Sequence, residues 1–288
     1  MAYQMTFDLI HEHTALMVSL SVLVAFLVGS FLNVVIYRLP VMMEREWKEA
    51  IRQETEDESE PATDKFNLAF PASRCNQCGH QIRWYENIPV ISWLALKGRC
   101  SQCKASISPR YPLIEALSAI LCGVIAWKFG LTIEGMSLMV LTWSLIALTF
   151  IDVDHQLLPD SITLPLLWLG LLLNSFEIFT TLESAVWGAA LGYLALWAVY
   201  WAFKLLTGKE GMGYGDFKLL AALGAWGGAI SLPMIILFSS VAGVLLAGIL
   251  IVTKKHQASN PLPFGPYLAI AGWFAIIFGE PIMRWYLM

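Results

Sequence analysis

Eight apolar runs, each close to the length that crosses a bilayer, leave this chain little choice but a bundle of membrane helices. They cover residues 15–37, 112–130, 134–151, 161–179, 183–206, 216–231, 233–253 and 264–281. A helix needs about 20 mostly apolar residues to span the hydrocarbon core. It is favoured there because its backbone polar groups are satisfied within the segment itself. The sixth run is short at its apolar centre and is expected to be tilted or partly enclosed by protein. Hydrophobic residues make up 57% of the chain and charged residues only 14%, against about 25% charged in soluble domains. A soluble enzyme and a disordered chain are both excluded. The net charge of −4 offers no basic field of the kind nucleic-acid binding needs, so no nucleic-acid partner is expected. The expected fold class is an all-α polytopic membrane protein with about eight transmembrane helices in the lipid bilayer.

Charge placement orients the spans. Of the 18 Lys and Arg residues, 11 lie between Arg38 and Arg110. Placing residues 38–111 in the cytoplasm also brings Lys204, Lys209, Lys218, Lys254 and Lys255 inside. Only Lys128 and Arg284 are left on the far side, as the positive-inside rule demands. Both termini then face away from the cytoplasm. Asp8, His11, Glu12 and His13 precede the first run where a cleaved signal would carry basic residues, so it reads as a retained span.

Residues 38–111 form the one long cytoplasmic loop. Met43, Trp47 and Ile51 lie four apart, a helical stripe expected to be a packing face, and the acidic run 54–60 reads as a solvated linker. Then come Cys75 and Cys78, 21 intervening residues, and Cys100 and Cys103. Two CxxC pairs can surround one zinc ion with four thiolates, and four protein ligands leave no open position for catalysis. Gly79 and Gly98 flank the pairs where tight turns are needed. Two disulfides are the alternative, which a reducing cytoplasm disfavours; four unrelated thiols are another. Cys122, in the middle of the second span, reads as a small buried hydrophobe.

Ionisable groups at membrane depth are costly and are functional hypotheses by default. The third span ends at Asp152 and Asp154, followed by His155, Pro159 and Asp160. The sixth opens with Gly213, Gly215, Asp216 and Lys218. Both ends fall at the cytoplasmic boundary. Two carboxylates from different helices can share a proton, one activating water while the other polarises a scissile carbonyl. Bland readings stand beside this one: Asp160 as a helix N-cap, Asp154 as a loop residue, Lys218 snorkelling to the interface, and Glu115 pairing with Arg110 or another base. Helix polarity adds an expectation for the pair. Asp152 closes a helix and Asp216 opens one, so a shared proton should favour Asp152.

These motifs together closely resemble the type IV prepilin peptidase family of GxGD intramembrane aspartic proteases. The resemblance spans nearly the whole chain. It is carried by Gly29 to Pro40, by Arg83 to Trp93, and by Ile107 to Pro112. Phe150 to Asp152 with Pro159 and Asp160, Gly213 to Lys218, and Pro263 to Tyr267 complete it. It implies removal of the short leader of type IV prepilins and type II secretion pseudopilins at the cytoplasmic face. N-methylation of the new terminal residue, usually Phe, by S-adenosylmethionine would follow. It selects Asp152 over Asp154 as partner of Asp216, and assigns the structural zinc to Cys75, Cys78, Cys100 and Cys103. The expected location is the bacterial inner membrane. No Rossmann-type glycine motif is present, so no residue is assigned to the S-adenosylmethionine pocket. The expected division is 1–37 for the N-terminal segment and first span, 38–111 for the zinc domain, and 112–288 for a seven-helix protease domain. An ion- or proton-coupled transporter is the rival reading, because membrane carboxylates also serve as relays.

Overall fold

Ser21, Ala25, Gly29 and Asn33 recur at intervals of four, which places small or polar groups along one stripe of a helix. All four are buried, and the stripe is where the first long helix meets its neighbour. The computed structural model describes the backbone of residues 2–55, 65–209, 211–252 and 263–287, with side chains for 14–55, 65–209, 211–246, 248–249 and 263–279. Among these residues the secondary structure is helical, with two isolated β-bridges. The α-helices are α1 (Ala2–Glu54), α2 (Ile91–Ala95), α3 (Arg110–Phe129), α4 (Ile133–His155), α5 (Asp160–Asn174), α6 (Leu182–Thr207), α7 (Tyr214–Gly227), α8 (Leu232–Val252) and α9 (Gly265–Leu287). The chain divides into two compact units, Met1–Trp143 and Ser144–Met288, with the boundary inside α4.

In the first unit α1 packs on α3 at close range. A Cβ placed on Gly29 would sit 2.8 Å from the Glu115 Cα, a separation no side chain tolerates. Ser118 Oγ donates to the Ala25 carbonyl at 2.7 Å, and Trp143 Nε1 donates to Ser118 Oγ at 3.1 Å. Asn33 Nδ2 donates to the Tyr111 carbonyl at 3.2 Å. Small residues admit close backbone approach where lipid supplies no hydrophobic drive between helices. Cys122 is fully buried on the same side of α3, as its apolar setting requires.

In the second unit α7 is the centre. Phe217 and every residue from Leu219 to Trp226 are buried, so this helix is enclosed by protein on all sides, which explains an all-round apolar sequence. Its neighbour α6 carries Gly188 and Gly192 four apart. A Cβ on Gly188 would run into the Gly224 carbonyl, and one on Gly192 would lie 2.7 Å from the Leu220 carbonyl. At the far end of α7, Asn174 donates to the carbonyls of Ala225 at 2.8 Å and Trp226 at 3.1 Å. Its Oδ1 accepts from the amides of Phe179 and Thr180. Trp226 Nε1 donates to the Leu166 carbonyl at 2.8 Å, tying α7 to α5.

A helix lies on each of the eight expected runs. Among the described residues, five segments are by themselves long and apolar enough to cross a membrane: Thr14–Glu54, Arg110–Phe129, Ile133–His155, Leu182–Thr207 and Ala229–Leu246. α5 and α7 have 15 and 14 residues, about 22 and 21 Å at 1.5 Å per residue, short of the ~30 Å core. The run 161–179 loses its tail because Asn174 turns the chain, and α7 ends at Gly228, whose φ of 75° no continuing helix adopts.

The cytoplasmic stripe also differs from expectation. α1 continues unbroken through Pro40 to Glu54, and Trp47 is 65% exposed and Ile51 39%, so the stripe is not a packed face. Arg45 instead lies over the Phe66 ring at 4.3 Å. Of the acidic linker, residues 56–60 lie outside the described residues, as do Lys254, Lys255 and the side chain of Arg284. The glycine contact between α6 and α7 yields a stability prediction. Gly188→Leu should lower stability by about 1–3 kcal/mol or more, read as a lower melting temperature in detergent. Ala190→Leu, on an exposed position of α6, should leave it unchanged.

Candidate active site and thiolate centre

Three helix ends build the acidic site, all within the second unit. Asp152 lies in the last turn of α4, Asp216 in the first turn of α7, and Gly265 at the start of α9. Asp152 and Asp216 are 5% and 6% exposed, while Asp154 and His155 are exposed. Burial therefore separates Asp152 from Asp154 on physical grounds. The two buried carboxylates are close enough to interact by charge.

A backbone amide holds Asp152. The amide of Gly265 donates to Asp152 Oδ2 at 2.9 Å, using one of the N–H groups that a helix start leaves without an intrahelical partner. Asp216 is the third residue of α7 after its N-cap, Gly213, and its amide donates to the Gly213 carbonyl at 3.3 Å. The carboxylate therefore lies in the first turn, where the positive end of a helix favours an acid. Asp216 Oδ1 is buried with no hydrogen-bond partner in the protein, the atom best placed to meet a water molecule or a substrate.

The glycines here are set by contact. A Cβ on Gly265 would lie 2.7 Å from Asp152 Oδ2, and one on Gly215 would lie 2.7 Å from Leu158 Cβ. Behind Asp216, Tyr200, Tyr214 and Phe217 form a cluster with centroids 5.3–5.7 Å apart. Asp160 is the first residue of α5 and not its N-cap, which is Pro159. Its carboxylate takes Lys218 Nζ at 2.7 Å on both oxygens. Lys218 therefore pairs across helices where snorkelling was expected, and it leaves Asp216 alone, as its position two residues on requires. The helix-polarity expectation loses its basis. α9 brings a second positive helix end to Asp152, so both carboxylates face one.

In the first unit the four cysteines converge. Their Sγ atoms lie within 4.8 Å of one another, with Cys75 to Cys103 at 3.8 Å and Cys78 to Cys100 at 4.0 Å. A tetrahedral centre with metal–sulfur bonds of about 2.3 Å sets its sulfurs about 3.8 Å apart. The thiolate cage fits a metal ion. Two matching loops supply it. Cys75 N donates to the His80 carbonyl and Gly79 N to the Cys75 carbonyl, and Cys100 N to Ala105 and Lys104 N to Cys100 repeat the pattern. The bridges Arg74–Gln81 and Arg99–Ser106 close both loops. The amides of Cys78 and Gln77 point at the Cys75 sulfur and pull its thiol down to about 6. Those of Cys103 and Gln102 lower Cys100 in the same way.

Both flanking glycines take the left-handed backbone that a tight turn needs, Gly79 with φ 72° and Gly98 with φ 65°. Lys104, φ 61°, holds the place after the second pair that Gly79 holds after the first. Gly98 also packs beneath the Trp93 indole, where a Cβ would lie 2.8 Å from the ring. Among the described residues Glu115 pairs with no base. It accepts from the Val90 amide at 2.7 Å. Sequence reasoning missed that contact, the Asn174 bracket and the role of the Gly265 amide. The Pro263–Tyr267 motif was the only available signal for the last.

Comparison with known proteins comes to the same place. The family model described as the bacterial peptidase A24 N-terminal domain matches residues 23–129, and the type IV leader peptidase family model matches residues 139–248. The prepilin leader peptidase/N-methyltransferase of Stutzerimonas stutzeri is 59% identical, covering 93% of this chain and 92% of its own. The Pseudomonas aeruginosa protein of that name is 54% identical over 97% of both chains. The one from Neisseria gonorrhoeae is 48% identical over 93% and 92%. No solved structure matches the chain.

The thiolate cage predicts about one metal ion per chain, measurable by elemental analysis of freshly purified protein. Cys103→Ser should lose that metal and raise amide exchange across residues 65–110, while exchange in α7 stays as it was.

Proposed function

We propose, from the premise that this chain belongs to the type IV leader peptidase family, that it cleaves the leader of type IV prepilins and type II secretion pseudopilins and then N-methylates the new terminus. The observation that carries the cleavage is the pair Asp152 and Asp216. They are buried and coupled by charge, and Asp152 is held through a backbone amide at a helix start. One carboxylate takes a proton from water as its oxygen attacks the scissile carbonyl. The other gives its proton to the carbonyl oxygen, and the returning proton leaves with the amine as the C–N bond breaks. The pair titrates as one unit. Fixing one oxygen of Asp152 by the Gly265 amide leaves the other for the reacting atoms, which shortens the search for a productive geometry.

The substrate's apolar helix lies in the bilayer in this reading, with its leader junction at the headgroup level and locally unwound there. Charge placement sets the cytoplasmic face for the site and the far side for both termini, in the inner membrane. The four cysteines hold zinc, which stabilises the fold of the loop without reacting, since no ligand position stays open. By chemistry the chain divides into 1–37, the zinc domain 38–111, and the protease domain 112–288. S-adenosylmethionine supplies the methyl group to the new terminal amine. A transporter is not supported: the buried acids sit at helix ends, where a relay would place them at midplane, and the named relatives are peptidases.

Incubation with a purified prepilin tests the reading. Asp152→Ala and Asp216→Ala should each abolish leader removal, and Asp154→Ala, exposed on the same turn, should retain most of it. Near-normal cleavage by either of the first two would overturn the dyad. Gly265→Ala pushes on Asp152 Oδ2 and should cut kcat at least tenfold with little change in KM.

A further inference from the structure

Between Arg83 and Lys97 the chain carries a stretch that water alone would not favour leaving open. Residues 88–96 read Ile-Pro-Val-Ile-Ser-Trp-Leu-Ala-Leu and hold no charge. Among the described residues, none of those in α2 is buried. Ile91 is 65% exposed and Leu94 61%, and their spacing of three puts them on one face of the helix. Trp84, in the turn before α2, is 81% exposed, and Ile88 is exposed as well. Large apolar groups gathered in so short a segment mark a surface that meets something apolar.

A hydrogen bond sets the depth at which that surface lies. α3 has 20 residues, about 30 Å at 1.5 Å per residue, which matches the hydrocarbon thickness. Its first residue, Arg110, therefore stands at the membrane boundary, and Glu115 lies about 7.5 Å further in. The Glu115 carboxylate accepts from the Val90 amide at 2.7 Å, which holds the start of α2 at that level. Val90 takes φ 58° and ψ −47° to do so, a conformation that a β-branched residue keeps only where its surroundings impose it. The next polar groups are met locally. The Ser92 hydroxyl and amide both donate to the Ile88 carbonyl, and the Leu94 amide donates to the Val90 carbonyl. The exterior left over is apolar, as contact with lipid requires.

We propose that residues 84–94 form a membrane-surface anchor, with Trp84, Ile88, Ile91 and Leu94 entering the boundary between headgroups and acyl chains of an anionic leaflet. Interfacial helices bury their apolar faces by about 5–10 Å, the depth that Glu115 imposes. The charges around the face fit that surface. Arg83, Lys97 and Arg99 are exposed on its flanks, while the one nearby carboxylate, Glu86, is turned inward onto the Arg83 amide at 2.9 Å and His80 Nε2 at 3.1 Å. Basic groups rimming an apolar face are drawn to anionic headgroups. A water-soluble partner would need neither the depth nor the tether to α3.

Photolabelling of the full-length, metal-loaded protein tests the anchor. The protein is placed in nanodiscs of phosphatidylglycerol and phosphatidylethanolamine, doped with a phospholipid that bears a diazirine near the top of its acyl chain. Peptide mass spectrometry should find lipid adducts within 84–94 as well as at Leu113, which is exposed on α3. Ile91→Asp combined with Leu94→Asp should lose the adducts at Trp84 and Ile88, with metal content and Leu113 labelling unchanged. Glu115→Ala should lose them too, and Glu115→Gln, which keeps an acceptor for the Val90 amide, should retain them. Adducts at Leu113 with none in 84–94 of the wild-type protein would overturn the anchor and point to a protein occupant. Full labelling of the segment in Glu115→Ala would overturn the tether. Labelling that is unchanged when phosphatidylcholine replaces phosphatidylglycerol would overturn the choice of an anionic leaflet.

Discussion

A carboxylate removed from water is costly unless something replaces its hydration, and this fold removes two of them side by side. For Asp152 the replacement comes from the Gly265 amide, which the start of α9 would otherwise leave unpaired. Asp216 lies in the first turn of α7, where the positive helix end favours a carboxylate. Much of the second unit can be understood as what it takes to bring three helix ends to one place. α7 is short so that it can begin beside the end of α4, and it is buried so that its start is fixed. The glycines of α6 let α7 approach to backbone contact, and Asn174 closes the carbonyls at its other end. Because the Gly265 amide belongs to the backbone, Asp152 is held without a cation that would neutralise it.

The short helices carry a second consequence. A helix of 14 residues surrounded by protein needs no lipid match, so its ends can lie inside the membrane thickness where polar backbone is tolerated only when enclosed. The Trp226 indole and the Asn174 amide supply that enclosure. The acidic end receives the Lys218–Asp160 pair, which links α5 to α7 one turn from the dyad. It is partly exposed, where an ion pair adds little energy, so its contribution is to orient α7 more than to stabilise it.

The cysteine module answers a different constraint. A loop of this size, with few buried apolar residues, cannot hold a fold by hydrophobic burial alone. Two copies of one loop pattern, 74–81 and 99–106, place four sulfurs at metal-binding distances. Between them run α2 and the turn that carries Glu86, so the thiolate loops and the Glu86–His80 contact are built from the same short stretch of chain.

Much of this was legible in the sequence, for identifiable reasons. Apolar runs report helices because lipid permits little else, and all eight runs coincide with one. CxxC spacing reports a thiolate cage because the turn that brings two sulfurs together is local. Gly213 and Asp216 report a helix start because glycine suits the N-cap and an acid suits the first turn. What the sequence could not decide depends on contacts between distant segments. Asp152 and Asp154 are equivalent as letters, and only the packing of α4 buries one and exposes the other. The Gly265 amide lies 113 residues from the carboxylate it holds, so no local pattern could connect them, and with it went the argument from helix polarity. Run length located the helices but not their surroundings: hydrophobicity records burial but does not distinguish lipid from protein. α7 is apolar because other helices enclose it, and only the tertiary structure says so.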